Sequence, residues 1–184
     1  MSVLLVGAGL ISYSGWLLEF VIPTGVSPVR DPVDALLGGP LVFRIVLAVS
    51  GVAFLLAGPP LRRIAPVQWQ SRIGAMSVSV FGALVVGYAA IPGNPVLSVL
   101  INGVFVVGAA SLVLWWPPGW RALAVAGLVV VLLTWAALVL ARQLDTAEGV
   151  VSRVEQVVRA VLYAVGGTYA FVKPAPRHTP RGGL

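Results

Sequence analysis

Residues 95–142, PVLSVLINGVFVVGAASLVLWWPPGWRALAVAGLVVVLLTWAALVLAR, decide the fold. Two apolar runs, 96–116 and 120–141, are separated only by the Pro-Pro-Gly of 117–119, and Arg121 is the single charge before Arg142. A helix needs about 20 apolar residues to cross a hydrocarbon core roughly 30 Å thick. Each run has that length, and the prolines between them mark where one helix must stop and the next begin. Outward from this pair the pattern recurs at about 2–22, 41–58, 72–91 and 151–172, with connectors at 23–40, 59–71, 92–95 and 142–149. No long internal repeat accompanies it. The expected fold is all-α: a polytopic integral membrane protein with a six-transmembrane-helix bundle over residues 1–172. The last residues, 173–184 (KPAPRHTPRGGL), read as a disordered cytoplasmic tail.

Composition agrees with this reading. Of 184 residues, 59% are hydrophobic and only 10% charged, against roughly a quarter charged in a soluble domain; the mean hydropathy is +0.99. The net charge of +6 does not point to nucleic acid, because the arginines lie at span ends and not along one solvated face. With no cysteine, disulfides, thiol catalysis and thiolate metal sites are excluded. The start, MSVLLVGAGLISYSGWLLEF, lacks the basic region and small-residue cleavage site of a removable signal, so it is expected to remain as the first span.

The charges also predict an orientation. With the N-terminus, the 59–71 and 117–119 connectors and the tail on one side, that side receives Arg62, Arg63, Arg72, Arg121, Lys173, Arg177 and Arg181 and no acid. The other receives Arg30, Arg44, Arg142, Arg153 and Arg159, with Glu19, Asp31, Asp34, Asp145, Glu148 and Glu155. Lysine and arginine set the positive-inside rule, so both termini are expected in the cytoplasm.

Few motifs carry chemistry. Gly7 and Gly9 imitate a dinucleotide fingerprint, but the run around them continues into a membrane-length helix, which makes packing the expected role. His178, the only histidine, falls in the tail, so no metal site or histidine-based triad is expected in the bundle. Trp115, Trp116 and Trp120 flank a connector, where interfacial anchors belong. Ser71, Ala75, Ser79, Ala83 and Gly87 recur every fourth residue and form a stripe of small side chains. Such a stripe permits close backbone approach, inside the bundle or at a dimer face; packing inside the bundle is the expected use.

The remaining signal is charge on the sixth span, where Ser152, Glu155, Gln156, Arg159, Tyr163 and Gly167 share one helix face. Glu155 and Arg159 have the spacing of a pair. Glu19 lies one turn before Pro23, at a similar depth. Ionisable groups within a membrane face protein or a wet cavity. Two roles are open for Glu19, Arg153, Glu155, Arg159 and Tyr163: a ligand or proton site, and a self-neutralising clamp between the first and last helices. The balance of Glu19 and Glu155 against Arg153 and Arg159 favours the clamp.

The connector 25–40, GVSPVRDPVDALLGGP, resembles a hallmark of the six-span prokaryotic membrane family catalogued as domain of unknown function 998. Gly25, Ser27, Pro28, Arg30, Asp31, Pro32, Leu36 and Gly38 or Gly39 fit its Gly-Tyr-Ser-Pro, Arg-Asp-Pro, Ser-x-Leu-Gly pattern; Val26 replaces the tyrosine and Asp34 the serine. Gly149 and Arg153 are similar to the Gly-Leu-Phe-Glu-Arg at the start of the family's last helix, with Ser152 in place of the glutamate. A family histidine near the start of the fourth span is absent, with Asn102 close by. The resemblance implies an outer-face loop packed over the start of the last helix, with Arg30, Asp31 and Asp34 meeting partners on that helix; it implies no reaction. The function expected is that of a non-catalytic accessory or interaction subunit, or a binder of a lipid-like molecule, in a prokaryotic plasma membrane. Its partners would be membrane lipids, a membrane protein or a second copy, and it needs no cofactor. The alternative is a small membrane enzyme of cyclase or isomerase type, with Glu19 as acid and Trp16, Phe20 and Tyr163 lining its site.

Overall fold

The structure is a computed structural model that describes residues 2–65, 68–144 and 146–172; Asp145, the 173–184 tail and its His178 lie outside them. Every regular element among the described residues is helical: α1 (Ser2–Tyr13), a 3-10 helix (Ser14–Phe20), a second 3-10 helix (Val33–Gly38), α2 (Leu41–Ile64), α3 (Trp69–Ala90), α4 (Pro95–Trp115), α5 (Pro118–Leu144) and α6 (Glu148–Val172). Four of them, α2 to α5, are long and apolar enough to cross a membrane.

Local chemistry sets the helix ends. Asn94 caps α4, its Oδ1 accepting from the Val96 and Leu97 amides at 3.0 and 3.1 Å, and Pro95 occupies the first turn, where no amide is needed. Arg44 on α2 closes the far end of α3, donating to the Ala89 and Ala90 carbonyls at 3.0 Å each.

Two expectations need correction. The first apolar run is not one α-helix: it tightens to 3-10 geometry at Ser14, whose hydroxyl bonds back to the Leu10 carbonyl at 3.0 Å, a bond that bends helices. Gly15 there lies so close to Val46 that any Cβ would collide. The second run does not stop at 58, because α2 passes through Pro59 and Pro60 to Ile64. Proline at 59 removes the amide that would bond the Leu55 carbonyl. Ser79 of α3 replaces it, its hydroxyl donating to that carbonyl at 3.1 Å. Gly58 lets Ser79 in, and such a substitute keeps a proline tolerable inside a membrane helix. Ser79→Ala is expected to cost about 0.5–1.5 kcal/mol in detergent unfolding. In a Pro59→Ala background, where residue 59 regains its amide, that cost should shrink toward zero. An equal cost in both backgrounds would show that the hydroxyl does not serve the Leu55 carbonyl.

The six helices form a closed ring, each packed on its neighbours in sequence and α6 returning to α1. Neighbours run antiparallel. Gly51 meets Gly82, and Gly58 meets Ser79, across α2 and α3; Gly74 meets Ser111, and Gly87 meets Leu97, across α3 and α4. A ring of six encloses a lumen, and what fills it differs by level. At the middle, Tyr13, Phe54, Phe81, Phe105 and Tyr163 come from five different helices, with Tyr163 centred 4.6 Å from Phe54, 5.1 Å from Phe81 and 5.2 Å from Phe105. At one end the connector dips in through Val33, Leu36 and Leu37, Leu36 being 1% exposed. At the other end no segment among the described residues enters in the same way.

Candidate functional site

Arg153, one turn into α6, anchors the connector end of the bundle. Its Nε donates to Glu19 Oε1 at 2.7 Å and its Nη2 to Glu19 Oε2, the fork geometry that a guanidinium and a carboxylate share. Its Nη1 donates to the carbonyls of Asp31 and Gly149, at 2.9 Å each. Glu19 is brought within reach because the 3-10 helix runs antiparallel to α6. The Glu19 side chain is only 1% exposed and that of Arg153 9%. Arg159 lies deeper. It pairs with Glu155 on its own helix and with Asn102 Oδ1 on α4, reaches the Tyr13 hydroxyl at 3.4 Å, and stands 5.9 Å from the Phe105 ring centre. The two ion pairs therefore do not exchange partners: Glu19 serves Arg153, and Glu155 serves Arg159.

The connector meets α6 through its backbone, which corrects the expectation that its charges would do so. The Val33 amide donates to Ser152 Oγ at 3.1 Å, and the Asp31 carbonyl accepts from Arg153. The Asp31 carboxylate instead turns back to the Ser27 amide at 2.7 Å, closing the loop on itself. Asp34 accepts from the Tyr88 hydroxyl of α3 at 2.7 Å. Arg30 is exposed and forms no ion pair among the described residues. A short polar side chain near a turn finds a local amide sooner than a distant partner, and that is what Asp31 does.

Between the connector and these pairs lies a small polar cavity of about 90 Å³, bordered by Asp34, Tyr88, Asn102, Arg142, Glu155 and Arg159. A second cavity, of about 510 Å³, occupies the opposite end of the lumen. Gly74, Gly108, Ala109, Gly166 and Gly167 are among its walls. An ideal Cβ on Gly166 would meet nothing within 4 Å. Tyr163 and Phe105 border this cavity on the side of the aromatic layer.

Its other border is aromatic too. Trp116 stacks on Tyr169 at 4.6 Å between ring centres, with Trp115 and Trp120 edge-on at 5.4 and 5.1 Å from Tyr169. Trp116 is 2% exposed, so it is not the interfacial anchor expected from its place beside a connector. The turn before Pro118 folds it back into the bundle. The indole nitrogens of Trp115 and Trp116 are both buried without a hydrogen-bond partner.

The small-residue stripe divides between neighbours. Ser71 and Ala75 border the large cavity, Ser79 meets α2, Ala83 is exposed, and Gly87 faces Leu97 of α4. Of the fingerprint-like glycines, Gly9 faces the Phe54 ring, which a Cβ there would meet at 3.2 Å, while a Cβ on Gly7 would meet nothing within 4 Å. Sequence reading missed Tyr88, Tyr13 and the large cavity; the signal for the last was the recurrence of glycine and alanine on α4 and α6. Among the described residues no group of histidine, aspartate or glutamate could hold a metal ion. No family model, curated protein or solved structure matches the chain.

Proposed function

We propose that the chain is a six-span protein of a prokaryotic plasma membrane that holds a lipid-like molecule in the large cavity, as a non-catalytic binder or accessory subunit. The cavity carries this reading. Its volume lies within the roughly 300–1,000 Å³ of small-molecule sites, and its walls are mostly hydrophobic side chains and small residues. The charged end supports a structural role for the ion pairs, since both Glu19 oxygens accept from Arg153. The Glu19 side chain is 1% exposed, and Glu19 borders neither cavity. The enzyme alternative therefore has no geometric support at Glu19. Extracted in mild detergent, the parent is expected to retain a lipid-like molecule through size exclusion, and Gly166→Leu to release it. Equal retention by a stably folded Gly166→Leu protein would sink the cavity reading.

Two elements beyond the four long apolar helices complete the six spans. α6 carries charge, but Arg153, Glu155 and Arg159 are all buried while Val154, Val157 and Val161 are about half exposed, so its outer face is apolar. α1 has 12 residues and the 3-10 helix seven; at about 1.5 and 2.0 Å per residue they extend roughly 32 Å, a membrane core's thickness. Membership of the family catalogued as domain of unknown function 998, and cytoplasmic termini, belong to the same proposal. The cysteine-free chain makes topology testable. Thr24→Cys and Thr146→Cys should react with an impermeant maleimide outside intact cells, and Gln68→Cys should not. Labelling of Gln68→Cys from outside reverses the orientation.

A further inference from the structure

The cavity's end of the bundle has a distinctive charge pattern. Leu61 on the last turn of α2 and Ala65 just after it border the cavity, and Arg62 and Arg63 stand between them, both exposed. Ser71 borders it on α3, followed by exposed Arg72. Leu123 borders it on α5, two residues after Arg121, whose Nε donates to the carbonyl of Trp116 at 3.2 Å. Three helix ends therefore carry four cations within two residues of the cavity's lining. The described acids, Glu19, Asp31, Asp34, Glu148 and Glu155, all belong to the opposite end.

We infer that the occupant is an anionic glycerolipid, its acyl chain in the lumen and its headgroup phosphate among Arg62, Arg63, Arg72 and Arg121. This rests on the lipid-binding reading and adds charge selectivity to it. Basic sites between membrane helices bind anionic headgroups, each arginine near the surface adding about a fivefold gain in affinity.

Delipidated protein in a neutral detergent can be titrated with dioleoylphosphatidylglycerol and dioleoylphosphatidylcholine, with bound lipid read by native mass spectrometry. The expected result is one tightly held phosphatidylglycerol, preferred over phosphatidylcholine by at least about fivefold. The preference should fall with added salt and vanish in an Arg62→Gln/Arg63→Gln/Arg121→Gln protein; binding of either lipid should be lost in Gly166→Leu. Equal binding of the two lipids, blocked by Gly166→Leu, overturns the anionic headgroup and leaves the cavity reading standing. A phosphatidylglycerol preference untouched by Gly166→Leu places the lipid on the outer surface and overturns the inference. Binding of neither lipid overturns both. The salt titration uses the parent protein alone, so the charge claim is tested even if the triple variant does not fold.

Discussion

Arg153→Ala is expected to destabilise the protein by about 3–5 kcal/mol, the usual cost of stripping one partner from a buried ion pair. The Glu19 carboxylate would remain with its side chain 1% exposed, its two bonds from Arg153 gone. The Asp31 carbonyl would lose its donor from α6 in the same step. Glu19→Gln in the Arg153→Ala chain should restore part of the loss by removing the stranded charge. Arg153→Lys should recover little, because one ammonium cannot fork onto Glu19 while also reaching two carbonyls. Even the apolar pair Glu19→Leu/Arg153→Leu should fall short of the parent. Replacing both partners usually relieves desolvation, but here the Asp31 carbonyl stays unpaired, at about 1–3 kcal/mol. Unfolding in mixed micelles measures all four variants. If Arg153→Leu alone matches the parent, the pair clamps nothing.

How much of this was legible follows from which interactions are periodic. Apolar run length made the helices readable, since burying backbone in hydrocarbon demands continuous helix. Three-and-four spacing made one face of α6 readable, and with it the Arg159–Glu155 pair. Helix ends were harder where a neighbour overrides a local signal. Pro59 reads as a stop, yet a hydroxyl 20 residues later in the chain serves the carbonyl it abandons. Ser14 and Gly15 read as ordinary span residues, yet Val46 presses against the helix there. The partners of Asp31 and Asp34 were unreadable because they are a local amide and a tyrosine on α3, and no spacing rule links them. The large cavity is a property of the ring. No single helix reveals it, because its walls come from all six helices and enclose a space only once those helices face one lumen.

The ring also gives the connector its role. A closed ring of six helices must fill its centre, and the chain does so with aromatic side chains at mid-depth and the connector at one end. Val33, Leu36 and Leu37 are the plug, and the charges around them hold the loop's shape and its seat. The plugged end keeps the small cavity, and the other end keeps the large one.

Gly149 decides whether that plug can seat. A Cβ at this position would lie 2.6 Å from the Pro28 carbonyl oxygen and 2.7 Å from both the Asp31 oxygen and the Val29 carbonyl carbon. All three are backbone atoms, so no rotamer change relieves the contact. Two effects of Gly149→Ala compete. Alanine favours a helix over glycine by up to about 1 kcal/mol, less in a first turn such as this. Against it, forcing an extra methyl into a filled space costs about 1–3 kcal/mol, and lifting the connector also breaks the bonds from Val33 to Ser152 and from Arg153 to Asp31. Steric loss should win, and the loop should open before the ring does. Val33→Cys, at a site 9% exposed, reports the opening in an otherwise cysteine-free chain. Its reaction with a maleimide should be slow in the parent and at least about tenfold faster with Gly149→Ala, a shift of 1.4 kcal/mol in the opening equilibrium. If Gly149→Ala is as stable as the parent and the cysteine stays protected, the connector does not seat on Gly149. The helices should stay folded while the loop lifts, because the ring contacts of Tyr163 with Phe54, Phe81 and Phe105 join four of them without the connector.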